Sequence, residues 1–259
     1  MNRGFWLVLA TILSSTAYSQ QATDESKVGV DVTARYMYMK YEEPGLMKDT
    51  GPLYGFGVGY QMTFPGEGTA RAELDFLQGN LTYDGAYASG AKLVATSKNY
   101  LFNLRAMWIN PFGESPVSGL AGLAFRNLHE RTDAPGAYTR ITSYIYAPFG
   151  LIVGGDFGGG WHLTGSAEYD LFLGGRVDTK LSEVGPGYND VVFEQTKGFG
   201  YRLSTLVRKD FGPWALRAEP YYHYWKIAKS APERGSTTSN YVEPDNNTTM
   251  YGVNIGADF

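Results

Sequence analysis

The sequence predicts an all-β protein, a single ten-stranded antiparallel up-and-down transmembrane β-barrel. Residues 251–259 alternate strictly between apolar and small or polar side chains, as in a strand with one face against an apolar phase. Ten segments with strand character follow one another along the chain, and no convincing amphipathic helix interrupts them. Their connections alternate between short and long, which is typical of an up-and-down barrel.

The chain begins with the features of a secretory signal. Arg3 is followed by an apolar stretch from Phe5 to Leu13, and Ala17 and Ser19 are small residues at the two cleavage positions. We expect cleavage after Ser19, which makes 1–19 the signal peptide and 20–259 one barrel domain. An uncleaved anchor is the less favoured alternative, because the apolar run has about half of the ~20 residues that a spanning helix needs.

Composition narrows the class of protein. The chain of 259 residues has no cysteine, so disulfides cannot stabilise its fold and a lipid-modified cysteine cannot anchor it to a membrane. It contains 33 glycines and 15% aromatic residues, which suits closely packed wall strands and rings at membrane interfaces. Removing Arg3 from the 22 basic residues leaves 21 against 26 acidic ones, a net charge of about −5. This balance argues against a nucleic-acid partner.

The strands and connections are predicted from side-chain periods and turn residues. Predicted strands lie at 27–41, 52–63, 69–83, 98–109, 117–130, 140–156, 161–177, 198–209, 214–228 and 248–259. Short turns lie at 65–68, 110–116, 157–160 and 210–213, and longer links at 42–51, 84–97, 131–139, 178–197 and 229–247. An even number of strands places both termini on the side of the short turns, which is the periplasmic side.

Each half of the chain supports this assignment strand by strand. Charges share one face of 27–41, as in Asp31 and Arg35, and Tyr36 and Tyr38 share the other. The following segments set Tyr54, Phe56, Val58 and Tyr60 against glycines, Leu74 and Phe76 against Arg71, Glu73 and Asp75, and Phe102 and Leu104 against Asn103 and Arg105. Later ones set Leu171 and Leu173 against Glu168 and Asp170, and Leu216 and Ala218 against Arg217 and Glu219. Segment 140–156 is ambiguous because both of its faces are fairly apolar.

Charges of both signs in the middle of strands predict a charged lumen. The predicted inward set is Asp31, Arg35, Arg71, Glu73, Asp75, Arg105, Arg126, Glu168, Asp170, Arg176, Arg202, Arg208, Arg217 and Glu219. A ten-stranded barrel is only slightly wider than an eight-stranded one, whose interior side chains fill. Because an unpaired buried charge is costly, we expect these groups to bond to one another and to plug the lumen.

Aromatic residues at the strand ends predict two membrane-interface belts. The predicted belt residues are Tyr36, Tyr38, Tyr100, Trp108, Tyr144, Trp161, Trp214, Tyr222 and Tyr224. A soluble two-sheet sandwich, with its apolar face inward, is the alternative. Charges in mid-strand and rings at strand ends weigh against it.

The C-terminal strand resembles the closing strand of bacterial outer-membrane barrels. Tyr251, Val253, Ile255 and Phe259 carry the resemblance and would form the assembly signal, although Ala257 is smaller than the aromatic residue often found there. The stretch 219–227 is similar to uncharacterised, porin-like outer-membrane β-barrel proteins. This resemblance implies the outer membrane of a Gram-negative envelope, with the lipid bilayer, lipopolysaccharide and the barrel-assembly machinery as partners. It implies no activity.

Omptin-type outer-membrane proteases also have ten strands, and the chain resembles them in strand count and topology only. That family carries an aspartate pair and an Asp–His pair at the outer end of the barrel. Here Glu73 and Asp75 lie deep in the wall, and no aspartate stands two residues before His223. We therefore expect no enzyme. No cofactor or metal site is predicted either.

The expected function is a structural or surface-interaction role through the loops 178–197 and 229–247. Two alternatives remain: a narrow porin-like channel for small polar solutes, and an omptin-like outer-membrane hydrolase.

Overall fold

The structure is a computed structural model that describes residues 27–86, 90–235 and 239–259. The predicted signal peptide, 1–19, lies outside the described residues. The strands are β1 (Lys27–Glu43), β2 (Met47–Phe64), β3 (Gly68–Ala86), β4 (Lys92–Pro111), β5 (Val117–Asp133), β6 (Thr139–Asp156), β7 (Trp161–Thr179), β8 (Val191–Gln195), β9 (Gly198–Asp210), β10 (Ala215–Ile227), β11 (Glu233–Arg234), β12 (Asn240–Tyr241) and β13 (Asn246–Asp258). A 3₁₀ helix spans Leu181–Glu183.

Antiparallel pairing closes the sheet into a barrel. Each of β1 to β7 pairs with the next strand, β7 pairs with β9, β9 with β10, β10 with β13, and β13 returns to β1. The closing ladder runs from the Asp31–Asp258 pair to the Glu42–Asn247 pair. Among the described residues, each of the ten wall strands pairs with a neighbour on both sides, which is what a hydrocarbon environment requires of a spanning sheet. The predicted ten-stranded barrel is confirmed.

Strand β8 extends the wall beside the outer half of β7. Strand β7 pairs with β9 from Trp161 to Leu171, and with β8 from Gly175 to Thr179. Strands β11 and β12 form a separate two-stranded ladder in the last long connection. The long connections 178–197 and 229–247 are therefore partly ordered secondary structure.

Three of the predicted long connections are mostly strand. Strand β1 ends at Glu43 and β2 begins at Met47, so the turn is 44–46, where Gly45 has a φ of 80°. The predicted link 131–139 likewise shortens to 134–138, and strand occupies 84–86 and 92–97 of the predicted link 84–97. The polar residues of these segments therefore belong to strands. The sequence prediction read their polarity as a turn.

The outer wall of the barrel is apolar along most of its height. Large exposed side chains on it include Val32, Phe56, Leu74, Leu104, Ile145, Leu151, Leu173, Leu203 and Ile255. This surface suits acyl chains. In the part of the chain that the structure describes, no helix has the length and apolar character of a membrane span.

Candidate functional site

The lumen is divided into layers along the barrel axis. Here the inner end carries the short turns, and the outer end carries the connections 178–197 and 229–247. From the inner end a vestibule of about 570 Å³ leads inward, with Val28 and Trp214 near its mouth and Glu73, Arg105 and Arg202 at its depth. Toward the outer end, the vestibule is followed by a layer of salt bridges, then by a layer of apolar side chains, and finally by a second charged cluster; each is described below.

Arg71 joins the first three strands at the inner side of the charged layer. Its guanidinium donates to Asp31 at 2.7 Å, to Glu73 at 2.8 Å and to the Gln61 side-chain oxygen at 3.1 Å. All of these residues lie on the inner face because inward side chains recur every second residue along a strand. One cation thus satisfies acceptors from β1, β2 and β3.

Arg105 carries the network across the lumen. It donates to Glu73 on β3 at 3.2 Å and also bonds Glu168 on β7. Close by, Arg35 pairs with Asp75 at 2.7 Å. These side chains are buried, so each pair is desolvated and each partner depends on the other.

The remaining pairs complete the circuit to the closing strands. Arg202 bonds Glu219 at 3.0 Å, and Arg217 bonds Asp31 at 2.9 Å. Arg208 sits nearer the inner end, where it bonds Asp258 at 2.8 Å. The structure therefore brings together most of the predicted charged set in one connected layer.

Asp170 and His223 form a separate buried pair beside this layer. Asp170 Oδ2 lies 2.7 Å from His223 Nε2. The two residues are on β7 and β10, with β9 between them. The sequence analysis placed Asp170 on the inner face but did not join it to His223, because a search along one strand cannot find a partner two strands away.

Arg176 departs from the prediction and lies on the outside of the wall. Its side chain is 55% exposed and pairs with Asp178 on the same strand at 2.7 Å. The cause is a β-bulge: the register with β6 shifts between Ile145 and Tyr146, which leaves one extra residue in β7. Beyond the bulge the alternation reverses, so Val177 points inward and Arg176 outward.

Arg126 is inside the barrel but apart from the salt bridges. It is 2% exposed, and its guanidinium contacts the sulfur of Met39 at 4.0 Å and the Tyr144 ring at 5.7 Å. Among the described residues it makes no ion pair with a carboxylate. Its neighbours belong to the apolar layer.

Above the charges, packed side chains fill the lumen. This apolar layer consists of Met37, Met39, Leu53, Leu77, Leu81, Leu101, Ala124, Leu128, Tyr144, Tyr146, Phe172, Trp225, Ile227 and Met250. Trp225 is its centre, with ring contacts to Tyr146 at 4.8 Å and Tyr144 at 6.0 Å. The prediction of Tyr144 as a belt residue is wrong: it is 1% exposed, because the even-numbered residues of β6 face inward.

A second charged cluster, the outer cap, closes the lumen at the outer end. Arg140 bonds Glu43 at 2.5 Å, Glu130 at 3.1 Å and Glu243 at 3.2 Å. Burial raises the pKa of Glu243 from 4.5 to about 7; Arg140 lowers it, and the nearby Glu43 and Glu130 raise it further. Sequence reasoning missed this cluster, since its members come from loops and strand ends, although the glutamates at 42–43 and 130 are visible beside predicted loops.

The long connections have a small apolar core of their own. Val177, Leu181, Val191 and Phe193 are buried together, and Val184 and Tyr241 pack against them. Strand β8 and the 3₁₀ helix are thereby fixed against each other at the outer end of the barrel. In the described part of the chain, the two long connections therefore form a folded unit.

The other predicted belt residues lie on outward-facing positions. Trp108, Trp161 and Trp214 are exposed near the inner end. Toward the outer end Tyr36 contacts Tyr54 at 5.3 Å, Tyr38 stacks on Tyr251 at 5.3 Å, and Tyr222 contacts Tyr201 at 5.9 Å. Tyr100 and Tyr224 share this outward register.

The C-terminal strand closes the barrel with its aromatic and aliphatic residues outside. Tyr251, Ile255 and Phe259 are each more than half exposed, and Val253 shares their register. The Phe259 backbone exchanges two hydrogen bonds with Val30, at 2.8 and 3.1 Å. No group of three or more metal-binding side chains occurs within the described ranges.

No family model matches this sequence, and no curated protein matches it either. Solved structures do resemble the fold. The outer membrane protease OmpT from Escherichia coli has a TM-score of 0.58 at 10% identity, over 94% of this chain and 99% of that one. This chain folds as a bacterial outer-membrane β-barrel.

Two further barrels are more distant in shape. The translocator domain of the autotransporter NalP from Neisseria meningitidis has a TM-score of 0.46 at 13% identity, over 97% of this chain and 94% of that one. Neisserial surface protein A has a TM-score of 0.32 at 13% identity, over 90% of this chain and 97% of that one. At such identities the likeness to OmpT describes the fold and transfers no activity.

Proposed function

We propose that this protein is a plugged outer-membrane barrel with a structural or surface-interaction role, exerted through its outer loops. The observation that carries the proposal is the filled lumen. Between the vestibule and the outer cap, the open space contracts to a cavity of about 30 Å³. The apolar layer lies beyond it.

The apolar layer opposes conduction on physical grounds. An ion that crosses it would leave water and pass among side chains such as Trp225, Leu101 and Met39, which are at most 1% exposed. The transfer of an unpaired charge into such surroundings is strongly unfavourable. A solute would also have to separate the Arg105 pairs and the Arg140 cluster, whose partners would then be left buried and unpaired.

The folded loops support the surface role. The core around Phe193 holds the connections in one arrangement, while Tyr188 and Val242 remain exposed on them. A preorganised surface loses little conformational entropy when it binds. Lys40 and Lys226 lie on outward positions beyond the tyrosines Tyr38 and Tyr224, which supports lipopolysaccharide phosphates as a lipid contact.

Geometry also bears on a hydrolase like OmpT. Here His223 is bonded to Asp170 beside a cavity of about 30 Å³, which has no room for a peptide. We therefore assign this pair a structural role in the proposal. The vestibule is the structural feature that supports the alternative of a narrow channel.

Conductance of the refolded protein in a planar bilayer tests the plug. The expected result is a baseline without large, steady conductance steps. The control is a variant with Met39, Leu101 and Trp225 all replaced by alanine, which thins the apolar layer and is expected to raise the current. Large, steady conductance of the wild-type protein would overturn the plugged lumen.

Detergent sensitivity of cells separates the two proposed roles. Cells with the full protein are compared with cells lacking it and with cells whose protein has 182–190 replaced by a short Gly-Ser linker. Resistance restored by both proteins supports a structural role, and resistance that needs the loop supports the surface role. Equal sensitivity of all three strains contradicts both roles.

A further inference from the structure

Arg126 differs from the other interior arginines in having no acidic partner. Arg35, Arg71, Arg105, Arg140, Arg202, Arg208 and Arg217 each bond at least one carboxylate. Within the described residues, Arg126 makes no ion pair: its guanidinium contacts the Met39 sulfur and the Tyr144 ring, Glu130 is close enough to act on it electrostatically, and its Nε has no hydrogen-bond partner. A buried guanidinium in this state lacks both neutralisation and full hydrogen bonding, which is costly.

The small central cavity lies directly beside this group. Four arginines line it: Arg35, Arg105, Arg126 and Arg202. Asn103, Tyr146, Tyr221 and His223 add further polar hydrogens. Asp75 is the carboxylate among the lining residues, and Arg35 pairs with it at 2.7 Å. Arg105 and Arg202 are paired with glutamates outside the lining, so Arg126 is the lining arginine that has no ion-pair partner among the described residues.

We propose that this cavity binds one small inorganic anion, with chloride as the physiological occupant and Arg126 as its principal partner. The anion neutralises the cation that the protein leaves unpaired and accepts the hydrogen bond that Nε otherwise lacks. A water-sized sphere needs ~10–15 Å³. The cavity of about 30 Å³ therefore has room for a halide.

The fold also provides a route to the site. Arg105 and Arg202 line the central cavity and the inner-end vestibule alike. They form the partition between the two spaces, so a halide that enters from the vestibule passes these two arginines, whose pairs with Glu73, Glu168 and Glu219 must open briefly to admit it. The apolar layer blocks the opposite direction.

Two measurements on the refolded full-length barrel test the site. Crystals grown in sodium bromide are expected to show an anomalous peak inside the central cavity within contact distance of Arg126. In solution, the unfolding midpoint followed by circular dichroism is expected to be higher in chloride or bromide than in gluconate at equal ionic strength. Gluconate is the control anion because it is too large for the cavity.

Three variants assign the effect. Arg126→Met is expected to lose the difference between chloride and gluconate, whereas Arg176→Met, which removes an arginine from the outer wall, is expected to keep it. Arg126→Lys keeps the charge and is expected to respond to chloride with a higher half-saturating concentration. Bromide crystals without a cavity peak would overturn the proposal, as would an unchanged chloride response in Arg126→Met.

Discussion

His223 Nε2 lies 2.7 Å from Asp170 Oδ2, although strand β9 runs between the strands that carry them. The pair is possible because the residue of β9 opposite Asp170 is Gly200, which places no side chain between the two. The Trp225 ring occupies the space beside that glycine. Because Gly200 has no side chain, residues of the two strands on either side of β9 can bond directly.

The Asp170–His223 bond is expected to stabilise the barrel. Hydrogen bonds to charged groups contribute about 1.5–3 kcal/mol, so a double-mutant cycle with Asp170→Ala and His223→Ala should give a coupling energy in this range. The measurement is reversible denaturant unfolding of the refolded protein in lipid vesicles, followed by tryptophan fluorescence. Additive effects of the two substitutions would show that the bond contributes nothing.

Arg105 is expected to be among the most sensitive interior positions. Arg105→Met leaves Glu73 and Glu168 buried without this partner, and breaking such a buried pair costs about 3–5 kcal/mol of unfolding free energy. Replacing both glutamates by glutamine in the same variant should recover much of the loss. Arg176→Met is the matched control: its pair is exposed, so little or no change in the unfolding free energy is expected. Equal losses in the two single variants would contradict the buried network.

Gly200→Ala is expected to destabilise the apolar layer. An added Cβ would lie 2.8 Å from the Trp225 ring, which is fully buried and cannot move aside. Overpacking of this kind costs about 1–3 kcal/mol. Gly165→Ala on β7 is the control, because a Cβ there has no neighbour within 4 Å. Unfolding midpoints of the two variants check the prediction, and an unchanged Gly200→Ala would contradict it.

The outer cap is expected to loosen as the pH rises. Burial raises the pKa of Glu243 from 4.5 to about 7, so between these values the folded state holds the proton more tightly than the unfolded one. Stability from this group is fully present below about pH 4.5 and is lost as the pH rises through about 7. The Ser230 amide donates to the Glu243 carbonyl oxygen, and the Glu243 amide donates to Ser230 Oγ, both at 3.0 Å. The hydrogen-exchange protection factors of these two amides should fall over this pH range. Glu243→Gln should make the two profiles flat, and an unchanged profile in that variant would assign the effect elsewhere.

Phe259 is expected to act in assembly rather than in stability. Its side chain is 66% exposed, while its backbone bonds to Val30 do not depend on the side chain. Phe259→Ala should therefore lower the amount of barrel assembled in the outer membrane and leave the unfolding midpoint of refolded protein unchanged. Heat-modifiable mobility of membrane fractions measures the first, and thermal unfolding the second. Normal assembly of the variant would argue against a C-terminal signal.

The sequence allows prediction of the barrel because its constraint is local. A lipid-facing wall requires apolar residues at every second position, and charge is tolerable only on the other face. The structure accordingly places the predicted charged residues inside, with Arg176 as the exception. That exception depends on a single extra residue near Gly174, and a bulge of this kind shifts the faces without leaving a distinct sequence pattern.

Side-chain bonds across the lumen cannot be predicted from the alternation of residues along single strands. The bond between Arg105 and Glu168 and the cluster around Arg140 depend on which strands lie opposite each other, and that follows from closure and tilt. Tyr144 shows a second limit. Segment 140–156 is apolar on both faces because one face meets lipid and the other meets the apolar layer, so alternation no longer separates them.

The packed interior gives this cylinder mechanical rigidity. A hollow β-cylinder can flatten toward an ellipse when the surrounding bilayer compresses it, since little inside opposes the change. Here the apolar layer has members on β1 to β7, β10 and β13 that fill the bore, and close-packed interiors have low compressibility. The rim that carries the loops is therefore expected to keep a round cross-section under the lateral pressure of the lipids around it.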